Sequence, residues 1–215
     1  MLFRSKIVIR YRFFIDFEKE EQWLNGMAGQ GQEFTGRNMF SGYSFCRSEP
    51  VEKIIRIDYR TFTKSEDFQD YRQLFEDSGW RHISGTKNSG VQYFVRTGDS
   101  ADDEIFSDRA SKAGRYKRLS NMWLTFAASY LPIMVAILSS GSIDGKAMLN
   151  PKLLYYTPGL WEKTSLDFWR SFLFETPFAL MRGFSWLVFP FFVSLYFYFS
   201  ARAYFKYRSS TQSKA

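Results

Sequence analysis

Cysteine and histidine are nearly missing from this chain: Cys46 and His82 stand alone among 215 residues. A single cysteine excludes an intramolecular disulfide, and one cysteine with one histidine cannot furnish a conventional zinc centre. Nucleophile and phosphate motifs are missing as well. Gly42-Tyr43-Ser44-Phe45-Cys46 lacks the closing glycine of a nucleophile elbow. Gly85-Thr86-Lys87-Asn88-Ser89 lacks the glycine spacing and the Lys-Ser/Thr pair of a phosphate loop. The expectation is a non-enzyme with no catalytic residues, no metal and no cofactor, in which His82 is a sheet residue with a hydrogen-bonded ring. The N-terminus lacks an unbroken apolar run, because Arg4, Lys6, Arg10 and Arg12 interrupt it, so it does not read as a signal peptide.

Charge is absent from two further stretches, 122–138 and 183–200. With their softer flanks each approaches the ~20 residues that a helix needs to cross ~30 Å of hydrocarbon. The formal net charge of +7 could indicate nucleic acid, but its placement argues against that partner. Residues 1–118 carry 20 Lys/Arg against 18 Asp/Glu, and 119–215 carry 9 against 4. Arg109, Lys112, Arg115, Lys117 and Arg118 crowd the front of the first apolar run, while Arg202, Lys206, Arg208 and Lys214 follow the second. Cationic outer flanks place both termini in the cytoplasm of a multi-pass cell-membrane protein.

The expected organisation is a cytoplasmic domain over 1–98, then an acidic linker and basic juxtamembrane helix over 99–118. Transmembrane helices follow over 119–140 and 180–201, separated by an extracytoplasmic loop over 141–179 and followed by a basic cytoplasmic tail over 202–215. Pro132 and Pro190 each remove a backbone donor from their helices. In the loop, Thr164 and Asp167 have capping-box spacing. That spacing predicts an amphipathic surface helix with Arg170 and Glu175 toward water.

The first hundred residues carry a faint internal repeat. A strand-like run ends at Ile15-Asp16-Phe17, a helix covers 18–27 with Trp23, Leu24 and Met27 on one face, and 33–36 with 43–47 read as a hairpin. A second strand over 54–62 contains Ile57-Asp58-Tyr59, so that Ile-Asp-aromatic recurs 42 residues later. Thr63 and Glu66 have capping-box spacing before a helix that places Phe68, Tyr71, Leu74 and Phe75 on one face. Extended runs over 80–84 and 91–96 complete the second copy. The fold class expected is α+β: a pseudo-duplicated β-α-β-β domain, with helices on one face of an antiparallel sheet, followed by a two-helix transmembrane hairpin.

Residues 14–28, Phe-Ile-Asp-Phe-Glu-Lys-Glu-Glu-Gln-Trp-Leu-Asn-Gly-Met-Ala, resemble the opening signature of an uncharacterised bacterial membrane-protein family, domain of unknown function 2812. Residues 55–59 and 71–80 resemble its second and third blocks, and 104–118 its approach to the membrane. The resemblance covers 8–118. It departs at Gln32, where the family usually has Trp; the second copy keeps Trp80. It implies C-terminal membrane helices, a neighbouring PadR-like repressor and a regulatory or envelope-stress setting, and it brings no catalytic residues.

Candidate ligand- or partner-binding residues are Asp16 and Asp58, Trp23 and Trp80, and Arg47 and Arg96. The aspartates either fix strand-to-helix corners by accepting backbone N–H bonds or approach one another to hold a cation. The tryptophans are core unless a groove exposes them, and the arginines end corresponding strands. Arg115, Lys117, Arg118, Trp123, Lys206 and Arg208 are expected at the membrane interface, where each basic charge near an anionic leaflet is worth about 1 kcal/mol. The function expected is a membrane-tethered regulatory or interaction module that binds the bilayer and a protein partner. The alternatives are a small-ligand sensor with a pocket between the repeats and an accessory subunit of a transporter.

Overall fold

A computed structural model describes residues 7–38, 42–97, 103–140, 145–148 and 150–212. The expected linker, loop and tail therefore fall outside the described residues at 99–102, 141–144, 149 and 213–215. The chain forms two compact units, one of 1–119 with 203–215 and one of 120–202.

The first unit is α+β, in the order β1 (Val8–Tyr11), α1 (Phe17–Gly29), β2 (Gln32–Arg37), β3 (Gly42–Arg47), β4 (Ile55–Tyr59), α2 (Ser65–Asp77), β5 (Trp80–Ser84) and β6 (Val91–Arg96). It holds two antiparallel three-stranded sheets, ordered β1-β3-β2 and β4-β6-β5, in place of the one sheet expected. Strands β2 and β5 are the edges that meet, and each carries an irregularity, between Phe34 and Gly36 and between His82 and Ser84. A bulge breaks the regular alternation that a continuous ladder needs. The N–H of Arg37 donates instead to the Ser84 hydroxyl at 3.1 Å.

Helix α1 exists because Asp16, in extended conformation, caps it by accepting from the N–H groups of Glu18 and Lys19. It buries Leu24 and Met27 as expected. Helix α2 lacks the expected box: it starts at Ser65, and its N-cap Lys64 makes no side-chain bond. It buries Tyr71 against Trp80 and Phe94, whereas Leu74, expected on that face, is 64% exposed. Helix starts and the β2–β5 pair keep a constant spacing of 48 residues between the halves. Under that spacing Asp16 corresponds to Lys64, and Asp58 corresponds to Arg10. The expected 42-residue equivalence of the two aspartates therefore fails, because Asp16 caps a helix while Asp58 lies within a strand.

Among the described residues two helices are long and apolar enough to cross a membrane: α3 (Arg109–Ser139) and α4 (Ser165–Gln212). At 1.5 Å per residue the 48 residues of α4 span about 72 Å. Both helices begin in one unit and continue into the other. Within 120–202, Ser120 and Ser200 exchange hydroxyl-to-carbonyl bonds of 2.9 and 3.0 Å, and Trp123 stacks on Tyr196. The amphipathic helix expected within the loop is instead the uninterrupted start of α4. Glu175 on it is buried rather than turned to water, accepting from the Tyr156 N–H, the Thr157 hydroxyl and Arg182.

Candidate functional site

Strand β4 is an edge strand, and an uncovered edge presents unpaired N–H and C=O groups. Here side chains from two helices cover it. Asn25 accepts from the Ile55 N–H at 2.8 Å, and Glu21 accepts from the Ile57 N–H at 3.0 Å. The spacing explains the fit: four residues of helix rise about 6 Å, and two residues of strand about 6.6 Å. The carbonyls are met from α3. Arg115 donates to the Ile57 oxygen at 2.5 Å, and Arg118 donates to the Tyr59 oxygen.

Arg115 is the centre of this joint. Its guanidinium is fully buried, donates to Glu21 at 2.6 Å and to Glu18 at 3.0 Å, and lies over the rings of Phe17, Phe106 and Tyr116. Arg115, expected at the membrane interface, is instead held inside the domain joint and has no surface left for a lipid headgroup. Burial raises the pKa of Glu21, and Arg115 only partly opposes that rise. Arg118 binds Asp58 at 2.6 Å. The Tyr116 hydroxyl accepts from the Phe17 N–H at 2.9 Å and donates to Glu18.

The far end of α4 reaches the same place. Lys206 donates to Asp16 at 2.8 Å and lies 3.6 Å from Glu18. Burial acts to raise the pKa of Asp16, but the contacts with Glu18 and Lys206 and the Lys19 N–H outweigh it and hold the carboxyl well below its ordinary range. The two aspartates thus do not meet. Asp16 grips α4, and Asp58 grips α3 while also accepting from the Tyr71 hydroxyl at 2.9 Å. Of the remaining interface residues, Lys117 lies over the Tyr207 ring, Arg208 is exposed, and Trp123 packs between Tyr196 and Phe199.

Trp23 and Trp80 are packing residues. Trp23 meets Phe14, Tyr43 and Phe45, and Trp80 is buried with Tyr71 and Phe94. Arg47 is exposed at the end of β3, and Arg96 pairs with Asp103. Neither reaches Asp16 or Asp58. His82 is the sheet residue expected, its Nε2 3.0 Å from Gln92 Oε1; burial lowers its pKa.

Beside the seam of the sheets lies a cleft of about 550 Å³ lined by Arg37, Asn38, Ser84, Thr86, Asn88 and Tyr93, among others. Behind it Glu20 is buried and accepts from the hydroxyls of Tyr43 at 2.7 Å and Tyr93 at 2.6 Å, with Arg37 3.5 Å away. Burial raises the Glu20 pKa against the pull of Arg37 and the two tyrosines. A pocket between the repeats was expected only under the small-ligand alternative, without lining residues, and the Glu20 cluster was not expected. The only sequence signal was the pair of adjacent acids, Glu20 and Glu21, on a helix whose next turn is apolar. Among the described residues no group of three or more His, Cys, Asp or Glu side chains is placed to hold a metal ion.

Residues 16–128 match the family described as Protein of unknown function (DUF2812). The match spans more than half of the chain, and the chain belongs to that family. Its limits begin at the Asp16 cap and pass through Arg115 and Arg118, so the whole joint between α1, β4 and the start of α3 lies within them. No curated protein and no solved structure matches the chain.

Proposed function

We propose that the chain is a membrane-tethered regulatory module. Its cytoplasmic domain, built from two repeated β-α-β-β units, binds a protein partner. Helices α3 and α4 form a transmembrane hairpin with both termini in the cytoplasm. One observation carries the reading: the domain is clamped to both long helices. Arg115 and Arg118 fasten α3 to β4, and Lys206 fastens α4 to the cap of α1. A shift of either helix must strain these bonds, which gives the hairpin a mechanical route to the domain.

The test is crosslinked co-purification of the full chain from native membranes, comparing wild type with Lys206→Ala. The reading expects one specific protein whose recovery changes when the α4 clamp is cut. No specific partner, or recovery indifferent to the clamp, contradicts it. Topology is tested separately on a Cys46→Ser background with single cysteines at the exposed Glu49 and Lys163. An impermeant thiol reagent applied to intact cells should label position 163 and spare 49.

A second reading, a small-ligand sensor, is favoured by the cleft beside Arg37. It predicts that a metabolite raises the melting temperature of the full chain and that Arg37→Gln abolishes the rise.

A further inference from the structure

The outer edge of β1 is the counterpart of the β4 edge, and it lies open. In β3 the Gly42 carbonyl and the N–H of the following Ser48 bond toward β2. Alternation then turns Tyr43 and Phe45 toward β1, where they pair with Arg10 and Val8. The backbone groups of Ile7, Ile9 and Tyr11 are left facing outward. No strand pairs with that edge among the described residues, and all four residues of β1 are exposed. Ile7 is 64%, Ile9 50% and Tyr11 72% exposed. These are large apolar side chains on an edge that invites pairing.

The 48-residue spacing equates Ile7 and Ile9 with Ile55 and Ile57, and it equates Glu21 and Asn25 of α1 with Gln69 and Gln73 of α2. Within the chain, α1 closes the β4 edge through Glu21 and Asn25. Gln69 and Gln73 have the same i, i+4 spacing and the same capacity to accept backbone N–H bonds, and both are exposed beside the exposed Leu74. Charge agrees with geometry. The first acid in the chain is Asp16, so β1 is flanked by basic residues only, whereas α2 carries five carboxylates against one arginine. A second β1 would oppose like charges; α2 does not.

We propose that the open β1 edge receives helix α2 of a second copy, with Gln69 accepting from the Ile9 N–H and Gln73 from the Ile7 N–H. The contact repeats in trans the α1–β4 packing made in cis. Each copy offers both surfaces, so reciprocal exchange closes a two-fold dimer. The inference does not rest on the membrane reading, since both surfaces lie within residues 7–77.

The experiment uses the full chain in mild detergent on a Cys46→Ser background. A mixture of Ile9→Cys and Gln69→Cys chains should form an intermolecular disulfide. Ile9→Cys mixed with Asp70→Cys, one residue around the helix, should form at least tenfold less. In cysteine-free chains, Arg10→Glu with Arg12→Glu should give monomers by light scattering, as should Asp67→Lys with Asp70→Lys. Mixing the two charge variants should restore a dimer. Monomers at every concentration in the unmodified chain would overturn the proposal. Equal crosslinking at positions 69 and 70 would do the same, and so would a dimer that survives both charge reversals.

Discussion

Strands β1 and β4 hold the same position in their sheets, the outermost of three, yet their surroundings differ. The outward groups of β4 meet Asn25, Glu21, Arg115 and Arg118. Those of β1 lie beside exposed isoleucines and a tyrosine. What separates them is sequence outside the strands. Helix α1 carries a carboxylate and an amide at the spacing of alternate strand residues, and α3 brings arginines three residues apart. The edge that is closed is also the one through which α3 is held, so closing β4 and fastening the helix are the same set of bonds.

The largest way to break the contrast is Arg115→Ala. It opens β4 and leaves Glu21 and part of Glu18 without their cation. Loss of one partner of a buried pair costs about 3–5 kcal/mol, which a thermal melt of the full chain in detergent would read. Arg115→Met combined with Glu21→Gln should recover most of that loss, because a neutral amide can still accept the Ile57 N–H.

Next comes Asn25→Ala, which strands the Ile55 N–H in a partly buried site at a cost of about 1–3 kcal/mol. Its signature is faster hydrogen exchange at Ile55 with Val8 and Arg10 unchanged. A smaller effect is tied to pH. The Asp16 pKa is depressed on folding, so its contribution is complete above the ordinary carboxyl value of 3.8 and is lost as pH falls through the lower folded value. Lys206→Ala should therefore raise the pH of acid unfolding while costing under about 1 kcal/mol at pH 7, since the pair is screened by solvent. Smallest of all, Tyr11→Ser on the open edge should change monomer stability by no more than about 0.5 kcal/mol, visible in the same melts, while weakening self-association.

Much of this organisation was legible in the sequence. Alternation and turn residues marked each hairpin near its final bounds, and charge-free runs marked both long helices. The two-sheet division was not legible, because it depends on bulges in β2 and β5 whose residues, Phe34 to Gly36 and His82 to Ser84, read as ordinary strand. Nor was the fate of Arg115. Beside an apolar run a basic cluster reads as lipid-facing, and the carboxylate that claims it, Glu21, lies 94 positions earlier. Periodicity reports which face of a helix is polar, not what a polar face will meet. The recurrence of Ile-Asp-aromatic was a false guide for a similar reason: Asp16 and Asp58 share a triplet but not a place in the fold.

The most direct measurement is native-state hydrogen exchange on the full chain, resolved at the amides of Ile55 and Ile57. Although no strand among the described residues covers that edge, both amides should be protected to the level of the sheet interior in the wild type. Arg115→Ala should release Ile57 in particular. Exchange at Ile55 and Ile57 as fast as at an exposed loop, or protection indifferent to Arg115, would contradict the joint on which the account rests.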